Sequence, residues 1–276
     1  MIRTTQAQLK EMQAALQKSN VNRNEKVWTF LVACLFDRAS DQSKMIEKLC
    51  GEPLKMPRDA EIWFEAEPIP PRKGTKGNAE GNTKLDLAFG HVARRGTTAA
   101  GITYGPHEPG SWVCFVEAKC LSDCSTTVSY DPLRNQLARV IENLSCFQAE
   151  GMFPERIFFT LLTPRLFLQN PNTRLYGYKM REYEHRENIL ADISQCKIEW
   201  RQGFGPEHLD LRSRLATLRL NWVSYEDLLE PEMGVDLDVV GAPERVQGLK
   251  ETITSALAGL LTSPQEVTDS SSHAGV

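Results

Sequence analysis

The chain has 276 residues, 41% of them hydrophobic and 25% charged, which is ordinary for a globular protein and enough to bury a sizeable core. A formal net charge of -4 excludes a protein that grips nucleic acid over its whole surface, though not one with a local basic groove. The first twenty residues carry no apolar leader and the longest apolar run, 27–36, is too short for a bilayer, so a cytoplasmic location without a membrane partner is expected.

In chain order the pattern begins helical. Residues 4–20 place Leu9, Met12 and Leu16 at helical spacing behind threonine caps. Residues 22–38 predict a buried helix capped near Asn24, and 41–51 a short one ending at Gly51. The texture then changes. Residues 61–67 alternate, with Ile62, Phe64 and Ala66 against Trp63, Glu65 and Glu67, which predicts a strand. A Pro-, Gly- and Lys-rich loop (68–83) leads to a second strand, 84–92. A long turn or extended hairpin tip (93–111) leads to a third, "WVCFVEAKC" at 112–120. Residues 131–148 predict a helix with proline at its start and Leu133, Leu137, Val140, Ile141 and Leu144 on one face; 156–165 predict a fourth, strongly apolar strand.

Beyond it, 174–194 read as helical, 197–200 and 220–225 as weaker strands, 242–261 as an amphipathic helix, and the polar end as a disordered tail from 263 to 276. The expected organisation is one domain over 1–262, with a core of about 22–165 and an extension from 166 to 262. The first three strands lack intervening helices and should form an antiparallel meander, with helix 131–148 crossing to a parallel fourth strand. The expected fold is therefore α/β, a mixed sheet of four or more strands flanked by helices.

The charges in the third strand carry the chemistry. Alternation puts Val113, Phe115, Glu117 and Lys119 on one face and Cys114, Val116, Ala118 and Cys120 on the other. A glutamate and a lysine in a buried sheet are costly unless they pair or bind an ion. Asp86 interrupts the second strand, where aspartate is disfavoured. If these strands are neighbours, Asp86 and Glu117 repel each other unless a cation joins them. Two carboxylates, a strand carbonyl and water form the all-oxygen shell that Mg²⁺ or Mn²⁺ prefers, and Lys119 could then orient or help deprotonate a bound water.

Asp86 followed by Glu117-Ala118-Lys119 on an apolar strand, with an amphipathic helix beyond, resembles the PD-(D/E)XK (restriction endonuclease-like) nuclease superfamily. The resemblance covers roughly residues 22–165 and implies a core in α-β-β-β-α-β order. It implies Asp86 and Glu117 as Mg²⁺ ligands, the Ala118 carbonyl as a third, and Lys119 as the water-activating residue. It adds Glu25 on the first core helix as a further metal contact, and Gln136 and Arg139 on the helix after the motif in support. Position 140 is Val where some subfamilies carry an aromatic residue, and position 85 is Leu where a proline sometimes stands. The implied activity is that of a DNA endonuclease of restriction, defence or repair type, with nucleic acid as partner and a homodimer or protein partner in view. The alternative is a nuclease-like module that binds nucleic acid or a protein without turnover.

Blander readings stand beside these. Glu117 and Lys119 read alternatively as a solvated ion pair, Asp86 as a turn cap, and Glu25 as a first-turn glutamate favoured by the helix dipole. Glu67 is a further ligand or an exposed strand end. Arg72, Lys73, Lys76, Arg94 and Arg95 flank the motif and contact phosphates or merely line solvated loops. The basic and apolar stretch 211–220 reads as a solvated helix face. Seven cysteines without paired spacing read as reduced core thiols rather than a zinc site.

Overall fold

A computed structural model describes residues 1–18, 23–39, 41–58, 60–73, 83–125 and 134–234, with single positions beyond at 237, 239, 240, 250, 251, 253–255 and 258. A two-residue strand, β1 (Ile2–Arg3), precedes helix α1 (Gln6–Leu16). The Thr5 hydroxyl and the Gln8 side chain cap each other's backbone there as a reciprocal box. Helix α2 (Glu25–Arg38) starts on Asn24, whose side chain accepts from the Lys26 amide, and α3 (Gln42–Cys50) stops at Gly51 with φ 75°.

Strands β2 (Ile62–Ala66) and β3 (Leu85–Gly90) follow, then a separate small hairpin, β4 (Val92–Arg94) with β5 (Ile102–Tyr104). Then come β6 (Trp112–Ala118), α4 (Gln136–Ser145) and β7 (Arg156–Thr163). Four helices lead on, α5 (Arg165–Gln169), α6 (Leu175–Glu182), α7 (Arg186–Ser194) and α8 (Leu211–Ala216), before β8 (Leu218–Ser224) and α9 (Tyr225–Met233).

The six long-sheet strands lie in the order β1-β2-β3-β6-β7-β8. β2, β3 and β6 form the expected antiparallel meander, and α4 carries the chain across to β7, parallel to β6. The segment after residue 165 both completes and covers this sheet, because β8 joins parallel to β7. One face packs on α1, α2, α3 and α9 through Phe30, Leu49 and Leu229 against Phe64, Phe89, Val116 and Phe158. The other packs on α4, α6 and α7 through Leu137, Ile141, Tyr183 and Ile189 against Val113, Phe115 and Phe159. Among the described residues no helix is long and apolar enough to cross a membrane.

Several expectations need correction. Glu65 takes φ 50°, a left-handed conformation, so Ala66 joins Trp63 on the α4 side instead of following Ile62 and Phe64. The helix expected over 131–148 is described as Gln136–Ser145 behind its Asn135 cap, and 131–133 lie outside the described residues. The stretch 174–194 is two helices, because Tyr176, Met180 and Tyr183 keep one phase while Ile189 and Ile193 keep another. Residues 197–200 form no strand; Trp200 makes an isolated bridge to Arg72. The 211–220 stretch splits between α8 and the start of β8. Most of 242–261 and all of 263–276 lie outside the described residues.

Candidate functional site

The β3–β6 register runs from Gly90 with Val113 to Leu87 with Val116, which leaves Asp86 and Glu117 at the same end of the sheet, just past the last pair. Both strands are central, which is why charges there are sheltered. Glu117 is 1% exposed and Lys119 4%, while Asp86 is half-buried. Asp86 Oδ2 accepts from the Ala118 amide at 2.7 Å, locking the aspartate to the end of the neighbouring strand.

Lys119 lies where β6 has ended. Its Nζ donates to Glu117 Oε1 at 2.7 Å and to the Ala118 carbonyl at 2.8 Å, and stands 3.5 Å from Glu25 Oε1. Glu25 opens α2 and reaches over the end of β6. Its Oε2 accepts from the Cys120 amide at 2.9 Å and the Ser122 hydroxyl at 2.8 Å. From the opposite side of the sheet, Gln136 in the first turn of α4 donates to Glu117 Oε1 and accepts from the Ser125 amide at 3.3 Å. Arg139, one turn on, donates to the Thr83 hydroxyl at 3.0 Å, and Asn143 donates to the same oxygen at 3.2 Å.

The electrostatics are those of crowded carboxylates. Burial and the adjacent Glu117 hold Asp86 well above the ordinary aspartate value, with Lys119 opposing. Burial likewise raises Glu117, again against Lys119. Burial pulls Lys119 down, but Glu117, Glu25 and Asp86 more than reverse it and keep the ammonium charged. Among the described residues no three His, Cys, Asp or Glu side chains are drawn together as a ready ligand set. The oxygen donors here are the Asp86 and Glu117 carboxylates and the Ala118 carbonyl, with Glu25 beside them.

The sequence-marked residues thus divide. Glu25, Asp86, Glu117, Ala118, Lys119 and Gln136 come together, and Arg139 follows on the same helix. The basic group does not act as one. Arg72 is 3% exposed and engaged internally: it bonds Glu142 at 2.6 and 2.8 Å and the Ile193 and Ile198 carbonyls, and stacks 3.5 Å over Trp200. A guanidinium so enclosed is part of the core and not a phosphate contact. Lys73 is exposed and pairs with Glu199 at 3.0 Å; Lys76 lies outside the described residues. Arg94 and Arg95 lie beside the hairpin tip, which folds back so that Glu67 and Gly101 bridge at the site's end of the sheet. All seven cysteines are buried and free, with burial pushing Cys120 and Cys124 up to about 12.

Some neighbours had no local signal. Glu65 follows Phe64 on β2, and its buried carboxylate pairs with Lys26 at 2.6 Å. Ser122 was visible only as a hydroxyl three residues past Lys119. Compared with protein-family models, with curated proteins and with solved structures, the chain matches none of them.

Proposed function

We propose that the chain is a Mg²⁺-dependent nuclease of the PD-(D/E)XK type, acting on DNA, with Mn²⁺ as a substitute cofactor. The observation that carries this reading is the meeting of the Asp86 and Glu117 carboxylates, the Ala118 carbonyl and the Lys119 ammonium at the end of β3 and β6, with Glu25 of α2 beside the ammonium. The run α2-α3-β2-β3-β6-α4-β7, leaving the side hairpin apart, supports a restriction-endonuclease-like core because, with α3 as an added helix, it follows that family's order.

The donor set fits a hard divalent cation. Asp86, Glu117 and the Ala118 carbonyl are all oxygen donors, and the two carboxylates are pushed up by burial in a way that a dication relieves. When bound, such an ion lowers the pKa of a coordinated water and neutralises charge on a phosphate. The chain's own groups do the rest. Gln136 fixes one oxygen of Glu117, and Glu25 holds the turn after β6 through Cys120 and Ser122. Lys119 stays protonated at neutral pH, so it donates to an attacking water or a phosphate oxygen and does not take a proton.

The test is cleavage of plasmid and oligonucleotide DNA with Mg²⁺, Mn²⁺ or EDTA. Cleavage that persists in EDTA, or that survives Lys119→Ala in a clean preparation, would sink the mechanism. One observation favours a second reading, a binding module without turnover: the Lys119 ammonium already lies against Glu117 and Ala118 as an internal counter-ion. Calorimetric titration with Mg²⁺ separates the two. Binding that is lost in Asp86→Ala supports the enzyme, and no binding supports the module.

A further inference from the structure

The connection from Lys119 to α4 is fastened at both described ends to the α6–α7 hairpin. At its start, Asp123 accepts from the amides of Leu175 at 2.8 Å and Tyr176 at 3.3 Å, the first residues of α6. Arg174 donates to the Leu121 carbonyl at 3.4 Å. At its end, Asn135, 5% exposed, donates to Tyr183 Oη at 2.8 Å and to Asp192 Oδ2 at 3.0 Å. That same Oδ2 accepts from Tyr183 Oη at 2.6 Å and from Lys179 Nζ at 2.9 Å. Burial and the bond to Asp192 raise the Tyr183 pKa, so its hydroxyl stays a donor.

Asn135 is the hinge of this arrangement. Its Oδ1 accepts from the Ala138 amide at 3.1 Å and so caps α4. Its amide nitrogen is held by a tyrosine at the end of α6 and an aspartate on α7. The next residue is Gln136, whose side chain bonds Glu117. A rotation of the Asn135 cap therefore moves Gln136 relative to Glu117.

We infer that the α6–α7 hairpin is a positioning clamp: Asp192, with Tyr183, fixes the Asn135 cap of α4 and thereby holds Gln136 on the Glu117 carboxylate. Asp192 and Tyr183 act through another residue and are positioning residues, not catalytic ones. The consequence for function rests on the reading of Glu117 as a working carboxylate; the clamp's geometry can be tested without it. The alternative is that Asp192 only braces the fold.

The experiment uses the full chain labelled with ¹⁵N-glutamine, the Gln136 side-chain amide pair being assigned through Gln136→Ala. The wild-type pair is expected away from the free-glutamine position, and Asp192→Asn and the milder Tyr183→Phe are expected to return it towards that position. On DNA with Mg²⁺, Tyr183→Phe is expected to lower kcat roughly tenfold, the scale of lost outer-shell partners, with KM nearly unchanged. In the Gln136→Ala background the same substitution is expected to change kcat no further. A Gln136 resonance that stays put in both variants overturns the clamp whether or not the chain cuts DNA. An equal loss of kcat in both backgrounds also overturns it, by showing only a structural role. A resonance that moves while the wild-type protein never cleaves supports the clamp and counts against the nuclease reading alone.

Discussion

Two ionic groups meet α4, one through Glu142 and one through Gln136, and they are built in opposite ways. At one, Glu142 is 0% exposed and pairs with two guanidiniums, Arg72 and Arg134, themselves 3% and 0% exposed. At the other, Glu117 and Glu25 lie 2.7 and 3.5 Å from one ammonium, Lys119, with Asp86 beside them on the Ala118 amide, and the Glu25 side chain is 29% exposed. The first group joins a carboxylate to cations and seals it. The second gathers anions beyond the cation it holds and leaves a side open. A sealed, paired group serves the fold, whereas Asp86 and Glu117, both pushed above their ordinary values, are the pair to which the proposed function assigns a cation from outside.

The sharpest test of that contrast removes one charge from each group. Lys119→Ala and Asp86→Ala are expected to lower Mg²⁺-dependent DNA cleavage by roughly 10²–10⁴-fold, the range for losing a proton-handling or charge-stabilising group. Arg72→Met, assayed below its unfolding range, is expected to keep most of the cleavage rate. Comparable losses in all three, measured on initial rates, would erase the distinction between a working group and a structural one.

Stability should run the other way. Glu142→Ala leaves two buried guanidiniums without their carboxylate and is expected to cost about 3–5 kcal/mol in urea unfolding. Asp86→Asn should cost nothing at neutral pH, because asparagine Oδ1 can still accept the Ala118 amide while the repulsion with Glu117 disappears.

The pH dependence has a definite sign. Asp86 is held above its ordinary value of 3.8, so the folded state binds its proton more tightly than the unfolded state does. Its contribution to stability is present below the ordinary value and is lost as pH rises through the folded one. Asp86→Asn is therefore expected to melt higher than wild type at pH 7.5, with the gap closing towards pH 4. Mg²⁺ at about 100 times its dissociation constant should reverse the order at pH 7.5, since a ligand bound only by folded wild type adds about 2.7 kcal/mol. A variant less stable than wild type at pH 7.5 without Mg²⁺ would overturn the claimed conflict.

Much of this was legible in the sequence because period and charge disagree at few places. The alternation in 112–120 predicts the faces of β6 correctly, and an aspartate inside an apolar strand marks Asp86. Helices α2 and α3 were readable from Asn24 and Gly51, which announce their ends. What failed was non-local. β1 is two residues long and exists only because β2 lies beside it. The Glu65 distortion reverses a face, and no pattern of apolar residues encodes a left-handed backbone at a glutamate. Arg72 looked like loop charge because its partners, Glu142 and Trp200, lie 70 and 128 positions away. The Asn135–Asp192 contact spans 57 residues and leaves no local trace.

The smallest effect concerns the remaining basic residues. Arg94 is exposed beside a hairpin tip that folds back to Glu67, at the same end of the sheet as Glu117. If it meets a phosphate, Arg94→Ala should weaken DNA binding uniformly across sequences and reduce the slope of log K against log salt by about 1, because one fewer counter-ion is released. Arg72→Met, whose charge is enclosed against Glu142 and Trp200, should lower stability and leave that slope unchanged. Anisotropy titrations of labelled duplex in EDTA from low to moderate salt read both variants without cleavage. An unchanged slope for Arg94→Ala would remove the hairpin from the binding surface. A reduced slope for Arg72→Met would mean that its guanidinium leaves the core to meet DNA, and the contrast between the two ionic groups would collapse.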